Sequence, residues 1–371
     1  MRLASAVLLF ALHIPLLGMP FSVRADAPAL EQEYLEKAKV LEASASHDKA
    51  ISGTEIVTKT QSLKIQVLEG PDNGTIISFE NDFTQVHAGE VIYIRHIVGG
   101  FGTETWAVSD TYRLPVLITL LVIFLLLTLF IGGWQGVRGL ASLMGSLLLI
   151  SSVLLPGIYA GYSAIPVALG VTSLIVILGS YITHGFNRTT SAAVLGMIGT
   201  VLVTGCAAYV AVHAAHLSGF TTEQNVYLNF NTNGKIDMIG LLFAGIMIGL
   251  LGVLYDIAIG QAIAVEELLN TRSLSKRKVF ERSMRIGREH IGALINTLAI
   301  AYVGTSLPLL LLFYDATTSI SFIINSELFA TEIIRILVGS IGLILAVPVV
   351  TLIATLLLSS ETAKSGHTHT H

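Results

Sequence analysis

LPVLITLLVIFLLLTLFIGGW, residues 114–134, decides the fold class. It carries no charged side chain, and about 20 apolar residues are enough to cross roughly 30 Å of hydrocarbon as a helix. A helix satisfies its own backbone polar groups, which lets such a segment leave water. The stretch is apolar on every side, so much of it should face lipid, and Trp134 closes it as an interfacial anchor. Composition agrees along the whole chain: 53% of the 371 residues are hydrophobic and 12% charged, with a mean hydropathy of +0.74. That is too apolar for a soluble globule.

Working outward, further apolar runs at about 139–156, 164–183, 192–217, 236–257, 291–313 and 333–358 bring the expectation to about seven transmembrane helices. The expected architecture is an α-helical multi-pass membrane bundle over residues 113–358, preceded by a small extracytoplasmic β-rich domain over residues 26–112. Residues 1–25 begin with Arg2, run apolar and close on Val23-Arg24-Ala25, the pattern of a cleaved secretory signal, with a retained anchor as the alternative. Residues 359–371 form a tail holding His367, His369 and His371. Within the polar domain, the Glu-, Lys- and Ala-rich part up to about Lys49 suits a short helix or a flexible lead. SLKIQVLEG, GTIISFEN, EVIYIRHIV and TETWAVSD then read as strands punctuated by Pro71-Asp72-Asn73-Gly74 and His87-Ala88-Gly89, hence a small antiparallel barrel or sandwich.

Basic residues set the expected orientation. With the β-rich domain outside, Arg138, Arg188 and the run from Arg272 to Arg288 fall in the cytoplasm, with Lys364 in a cytoplasmic tail. The signal segment points the same way. The chain is therefore expected in a plasma membrane. The segment from Ser273 to Ile286 mixes Lys276, Arg277, Lys278, Arg282 and Arg285 with Leu274, Val279, Phe280 and Met284, as suits a helix lying on anionic inner-leaflet lipid.

The polar residues inside the apolar runs are the candidate site. At about 100° per residue, Gly245, Gly249, Gly252, Asp256 and Glu267 share one helix face, so a small-residue groove leads to two carboxylates. Glu289, Ala293 and Asn296 form a second, less regular stripe, and the two stripes are expected to meet. Each residue also has a plainer reading. Asp256 is either an ion-path carboxylate or a helix-end acid in water, and Glu289 is one turn from Arg285 and suits a local pair. Asn296 is either a path residue or a hydrogen-bonding contact between helices. Arg335 is either a gate or the partner of Glu332, and Gly339 and Gly342 beside it suit close helix packing. His290 lies at a helix entry as a proton carrier or an interfacial residue.

Several classes are excluded or unsupported. Cys206 is the only cysteine, so neither an intrachain disulfide nor a cysteine metal cluster exists. No basic excess with interleaved aromatics tracks nucleic acid. There is no nucleophile elbow, phosphate loop or HExxH motif, so no enzyme activity, cofactor or metal site is expected, and the pair His213 and His216 lacks a clear carboxylate partner.

Five phrases in order carry a resemblance: GGWQGVRGLASL (132–143), HGFNRTTSAAVLG (184–196), LLFAGIMIGLLGVLYDIAIGQAIAVEEL (241–268), RIGREHIGALINTLAIAY (285–302) and EIIRILVGSIGLILAVP (332–348). Together they resemble the YibE/YibF-like family of bacterial multi-pass membrane proteins. The resemblance implies an extracytoplasmic β-rich segment followed by a membrane bundle, and it brings no substrate or catalytic residue with it. Two functions follow for testing. One is a permease or exporter of an ion or small solute. The other is a membrane scaffold or accessory subunit, a homo-oligomer or a partner of another membrane protein, that recognises its partner through the outer domain.

Overall fold

The computed structural model describes residues 31–50, 57–99, 103–271, 274–314 and 317–358. The expected signal segment, the histidine tail and Arg272 lie outside these residues. The chain divides into two compact units, Met1–Phe124 and Leu125–His371.

The first unit is built on an antiparallel sheet of β1 (Glu31–Ala43), β2 (His47–Ala50), β3 (Val57–Val67), β4 (Ile76–Asn81), β5 (Val91–Gly99) and β6 (Glu104–Thr111). The strand order is β2-β3-β1-β5-β6, with β4 on the other edge of β3. β4 and β6 approach each other, so the sheet curls. Its core gathers Ala38, Val40, Leu63, Ile65, Val67, Val86, Ile92, Ile94 and Val108.

β1 corrects one expectation, because the Glu-, Lys- and Ala-rich lead is neither helix nor flexible but the strand that joins β3 to β5. Its inward positions are Tyr34, Glu36, Ala38 and Val40, and its outward ones include Glu33, Leu35 and Lys39. Helix-forming residues occupy both faces, which hides the period of two, and pairing on both edges overrides local propensity.

α1 (Leu114–Leu149), which begins in the first unit and continues into the second, runs through a π-helical turn at Ile150–Leu154 into α2 (Leu155–Tyr159). α3 (Ala164–His184), α4 (Arg188–Ala214), α5 (Glu223–Asn231) and α6 (Met238–Asn270) follow. α7 (Lys276–Thr305), α8 (Leu307–Leu312), α9 (Ile320–Asn325) and α10 (Glu327–Leu357) complete the order.

Five helical stretches are long and apolar enough to cross a membrane: Leu114–Tyr159, Ala164–His184, Arg188–Ala214, Met238–Asn270 and Glu327–Leu357. The seven expected crossings differ from these at two places. The first two share the stretch Leu114–Tyr159, which breaks at Gly133 (φ 52°, ψ −136°). A Cβ on Gly136 would collide with the Thr128 carbonyl, eight residues back, so the chain reverses at the break instead of running on. In an unbroken helix those residues stand about 12 Å apart. Gly133 is needed there because a side chain at that φ and ψ is strained. The expected crossing at 291–313 belongs to α7 and α8, and α7 is too rich in charge over its first half to count among the five.

α6 sits centrally, packing against α3, α4, α7 and α10, while α4 and α10 pack on each other. Phe243, Met247, Leu250 and Leu254 of α6 meet a core that includes Met197, Val201, Leu343, Val347 and Val350. Two of the hydroxyls buried among them are satisfied one turn back, Thr200 donating to the Gly196 carbonyl at 2.9 Å and Thr355 to that of Thr351 at 2.7 Å, whereas those of Thr172, Thr204 and Ser340 have no partner among the described residues. The back-bonded pair thereby sit in apolar helices without an orphaned donor.

Candidate functional site

α6 is buried on three sides and open on one. The open side holds Gly245, Gly249, Gly252, Asp256, Gly260 and Glu267, all exposed. The expected stripe is thus a single face, but it points away from the packed core. A Cβ on Gly245, Gly252 or Gly260 would have no neighbour within 4 Å. These glycines do not hold helices together among the described residues. Gly249 is different: a Cβ there would run into the Tyr302 hydroxyl from α7.

Near its C-terminal end the open face deepens into a cleft of about 190 Å³ between α6 and α7, lined by Asp256, Ile257, Gly260, Gln261, Ile286, His290 and Leu294. Asp256 has no hydrogen bond or ion pair among the described residues. His290 donates its Nδ1 proton to the Ile286 carbonyl at 3.1 Å, which leaves Nε2 as an acceptor. The cleft therefore combines an acid, a proton-accepting imidazole and the buried amide of Gln261.

Gln261 closes the wall of the cleft. Its Nε2 donates to the Ser283 carbonyl of α7 and to Thr351 Oγ1 of α10, both at 2.7 Å. Thr351 in turn donates to the Val347 carbonyl at 2.6 Å. One amide thus ties three helices. Gly287 makes the approach possible, since a Cβ there would collide with Val347 and fall 2.9 Å from Gln261 Oε1. Neither Gln261 nor Gly287 was a sequence candidate. The available signal was a lone amide inside an apolar run, four residues beyond Ile257, with threonines at positions 351 and 355 one turn apart.

The second stripe does not meet the first. Val279, Ser283, Gly287 and Leu298 are the buried positions of α7, whereas Glu289, Ala293 and Asn296 are exposed. Glu289 lies two residues, about 200°, from the Gly287 direction, so α7 docks through its Gly287 face and leaves the acid outside. Arg285 and Glu289 are not paired among the described residues; the ion pair of that helix is Arg277 Nε to Glu281 Oε1 at 3.0 Å. Arg335 adopts its plainer reading, donating to Glu332 Oε1 at 2.9 Å, with its guanidinium 5.6 Å from the Tyr302 ring centre. Gly339 and Gly342 pack as expected: a Cβ on the first would lie 2.8 Å from Leu298 and on the second 2.5 Å from Thr204.

Residues 120–360 match the family model described as YibE/F-like protein. The chain belongs to the YibE/F-like family. No curated protein and no solved structure matches it. In this YibE/F-like chain the family-matched segment starts within α1, beyond the last strand, and runs through α10. It therefore includes the cleft and leaves out the β-sheet.

Beyond the family segment, the sheet assembles a second polar cluster. His96 on β5 sits opposite Tyr34 on β1 and Trp106 on β6. Its imidazole stacks on the Trp106 indole, with ring centroids 3.6 Å apart and planes 10° from parallel. His96 Nδ1 lies 2.8 Å from Asp72 Oδ2, and Nε2 lies 3.8 Å from Glu104 Oε2. The Asp72 amide donates to Glu36 Oε1 at 3.2 Å. Glu36 is 2% exposed and His96 5%.

Proposed function

We propose that this YibE/F-like membrane protein is a permease or exporter of an ion or small solute rather than an enzyme. Its path follows the open face of α6 into the cleft between α6 and α7. The observation that carries this reading is the cleft itself, where an unpaired carboxylate, Asp256, and an imidazole, His290, line one recess. Acids in membrane helices are costly and tend to mark ion or proton routes. Asp256 is 18 residues past the first residue of α6, about 27 Å along a helix, which puts the cleft near one end of the span.

In the orientation proposed, the β-sheet is extracytoplasmic and the basic run of α7 lies on the cytoplasmic face of a bacterial plasma membrane. Exposed Arg277, Lys278, Arg282, Arg285 and Arg288 support that placement, and they suit contact with anionic lipid at about 1 kcal/mol each. The cleft is then a cytoplasmic mouth. Purified protein in liposomes, assayed for uptake of protons and of monovalent and divalent cations, should show flux that Asp256→Asn lowers at least tenfold. Absence of flux for every ion and a panel of small solutes, or full flux in the variant, overturns the reading.

A second reading, an accessory subunit, is favoured by a recess of about 170 Å³ in the sheet unit lined by Ser46, Lys59, Gln61, Asn81, Asp82, Phe83, Thr84 and Gln85. Phe83 stands exposed at its edge. Photocrosslinking from position 83 in cells tests it. Reproducible recovery of one membrane protein supports this reading, and recovery of none opposes it.

A further inference from the structure

We propose that Glu36 and His96, with Asp72 orienting the imidazole, form a site for a divalent transition-metal cation of the zinc class, a site independent of the transport reading. Each of the three offers one donor atom, and these atoms lie within 4.8 Å of one another. Donors around a tetrahedral zinc ion at about 2.1 Å stand roughly 3.4 Å apart, which the separation of the Glu36 and His96 donors exceeds by at most about 1.4 Å.

Two buried atoms point to a ligand. Glu36 Oε2 and His96 Nε2 have no hydrogen-bond partner, and no Lys or Arg among the described residues pairs with Glu36, Asp72 or Glu104. A carboxylate oxygen withdrawn from water without a counter-charge is costly, and a bound cation is one of the few remedies. The imidazole is already arranged for the task. An ionised carboxylate only accepts, so Nδ1–H donates to Asp72 and Nε2 is left with its lone pair. A carboxylate fixing one ring nitrogen while the other is free is how metal-binding histidines are commonly oriented. Glu104, 3.8 Å from Nε2 and exposed, stands where a further oxygen would complete the shell.

The surroundings hold this geometry. Trp106 fixes the plane of the ring. Gly70, at φ +106°, leaves room for the Glu36 carboxylate, because a Cβ there would occupy the place of Oε1. One imidazole with a few carboxylates favours zinc, cobalt or manganese over calcium, which takes six to eight oxygen ligands.

The test uses the full chain in detergent micelles, with Trp134→Phe so that Trp106 is the sole indole and with His367, His369 and His371 replaced by alanine. Co²⁺ should quench Trp106 emission at one equivalent per chain, and Zn²⁺ should reverse it by competition. Glu36→Gln keeps the shape of the side chain and should weaken binding at least tenfold; Asp72→Asn should do the same, and His96→Gln should weaken it further. Far-UV circular dichroism establishes that each variant is folded. No quenching in the parent chain, or unchanged binding in folded Glu36→Gln and Asp72→Asn, overturns the proposal.

Discussion

Gln261 on α6 donates to Thr351 Oγ1 on α10 at 2.7 Å, ninety residues away, and both side chains are buried. Because the same amide also donates to the Ser283 carbonyl of α7, loss of Gln261 leaves two acceptors without their donor. Gln261→Leu should lower the unfolding free energy in detergent by about 1–3 kcal/mol. Thr351→Val removes one partner only and should cost less. A double-mutant cycle is the measurement, with a coupling of about 0.5 kcal/mol or more expected.

The glycines of α6 should separate by position. Gly245→Ala and Gly252→Ala meet open space and should leave stability unchanged or raise it by up to about 1 kcal/mol, as alanine does in a helix. Gly287→Ala, which meets Val347 and Gln261, should lower it by about 1–3 kcal/mol. Thermal unfolding of the three variants in one detergent checks the order.

Gly70→Ala should destabilise the sheet, since it combines a positive φ with a collision against Glu36, at about 1–3 kcal/mol. Gly74→Ala, also at positive φ but with no neighbour within 4 Å, should carry the backbone cost alone. Trp106 fluorescence during denaturant unfolding separates the two.

Acid should loosen the sheet unit in a defined direction. The hydrogen bond and charge of Lys49 hold the Glu80 carboxyl below its ordinary value of 4.5. The amide of Thr111, followed by the Arg113 guanidinium, lowers Asp110 from 3.8. Both groups bind protons less readily when folded, so their contribution is present above the unfolded pKa and is lost as pH falls through the folded one. Lys49→Met should flatten the decline in unfolding midpoint below about pH 4.5, where a carboxylate begins to protonate. It should lower the midpoint slightly at pH 7 and leave it nearly unchanged at the acid end, where Glu80 is protonated in both proteins.

The membrane character, four of the strands and the shared face of Gly245, Gly249, Gly252 and Asp256 were legible in the sequence, because each rests on a period within one element. What was not legible depends on partners distant in the chain. Whether the α6 stripe is buried or open is decided by which face of α7 docks, and Gly287 decides that, not Asn296. The strand β1 was hidden because Glu36, an inward residue, looks like a helix former until Asp72 and His96 are placed beside it. The imidazole of His96 itself reads as an ordinary strand residue until β6 brings Trp106 against its ring.

Gly133 has a consequence for every later part of the chain. Residues 114–132 and 134–159 are each long enough to traverse a bilayer, and each traverse exchanges one aqueous compartment for the other. Where both legs of the turn traverse, the tally of crossings rises by one. A substitution that straightened this turn would change the tally from odd to even or the reverse, and the loops from Tyr159 onward would then be presented to the opposite compartment.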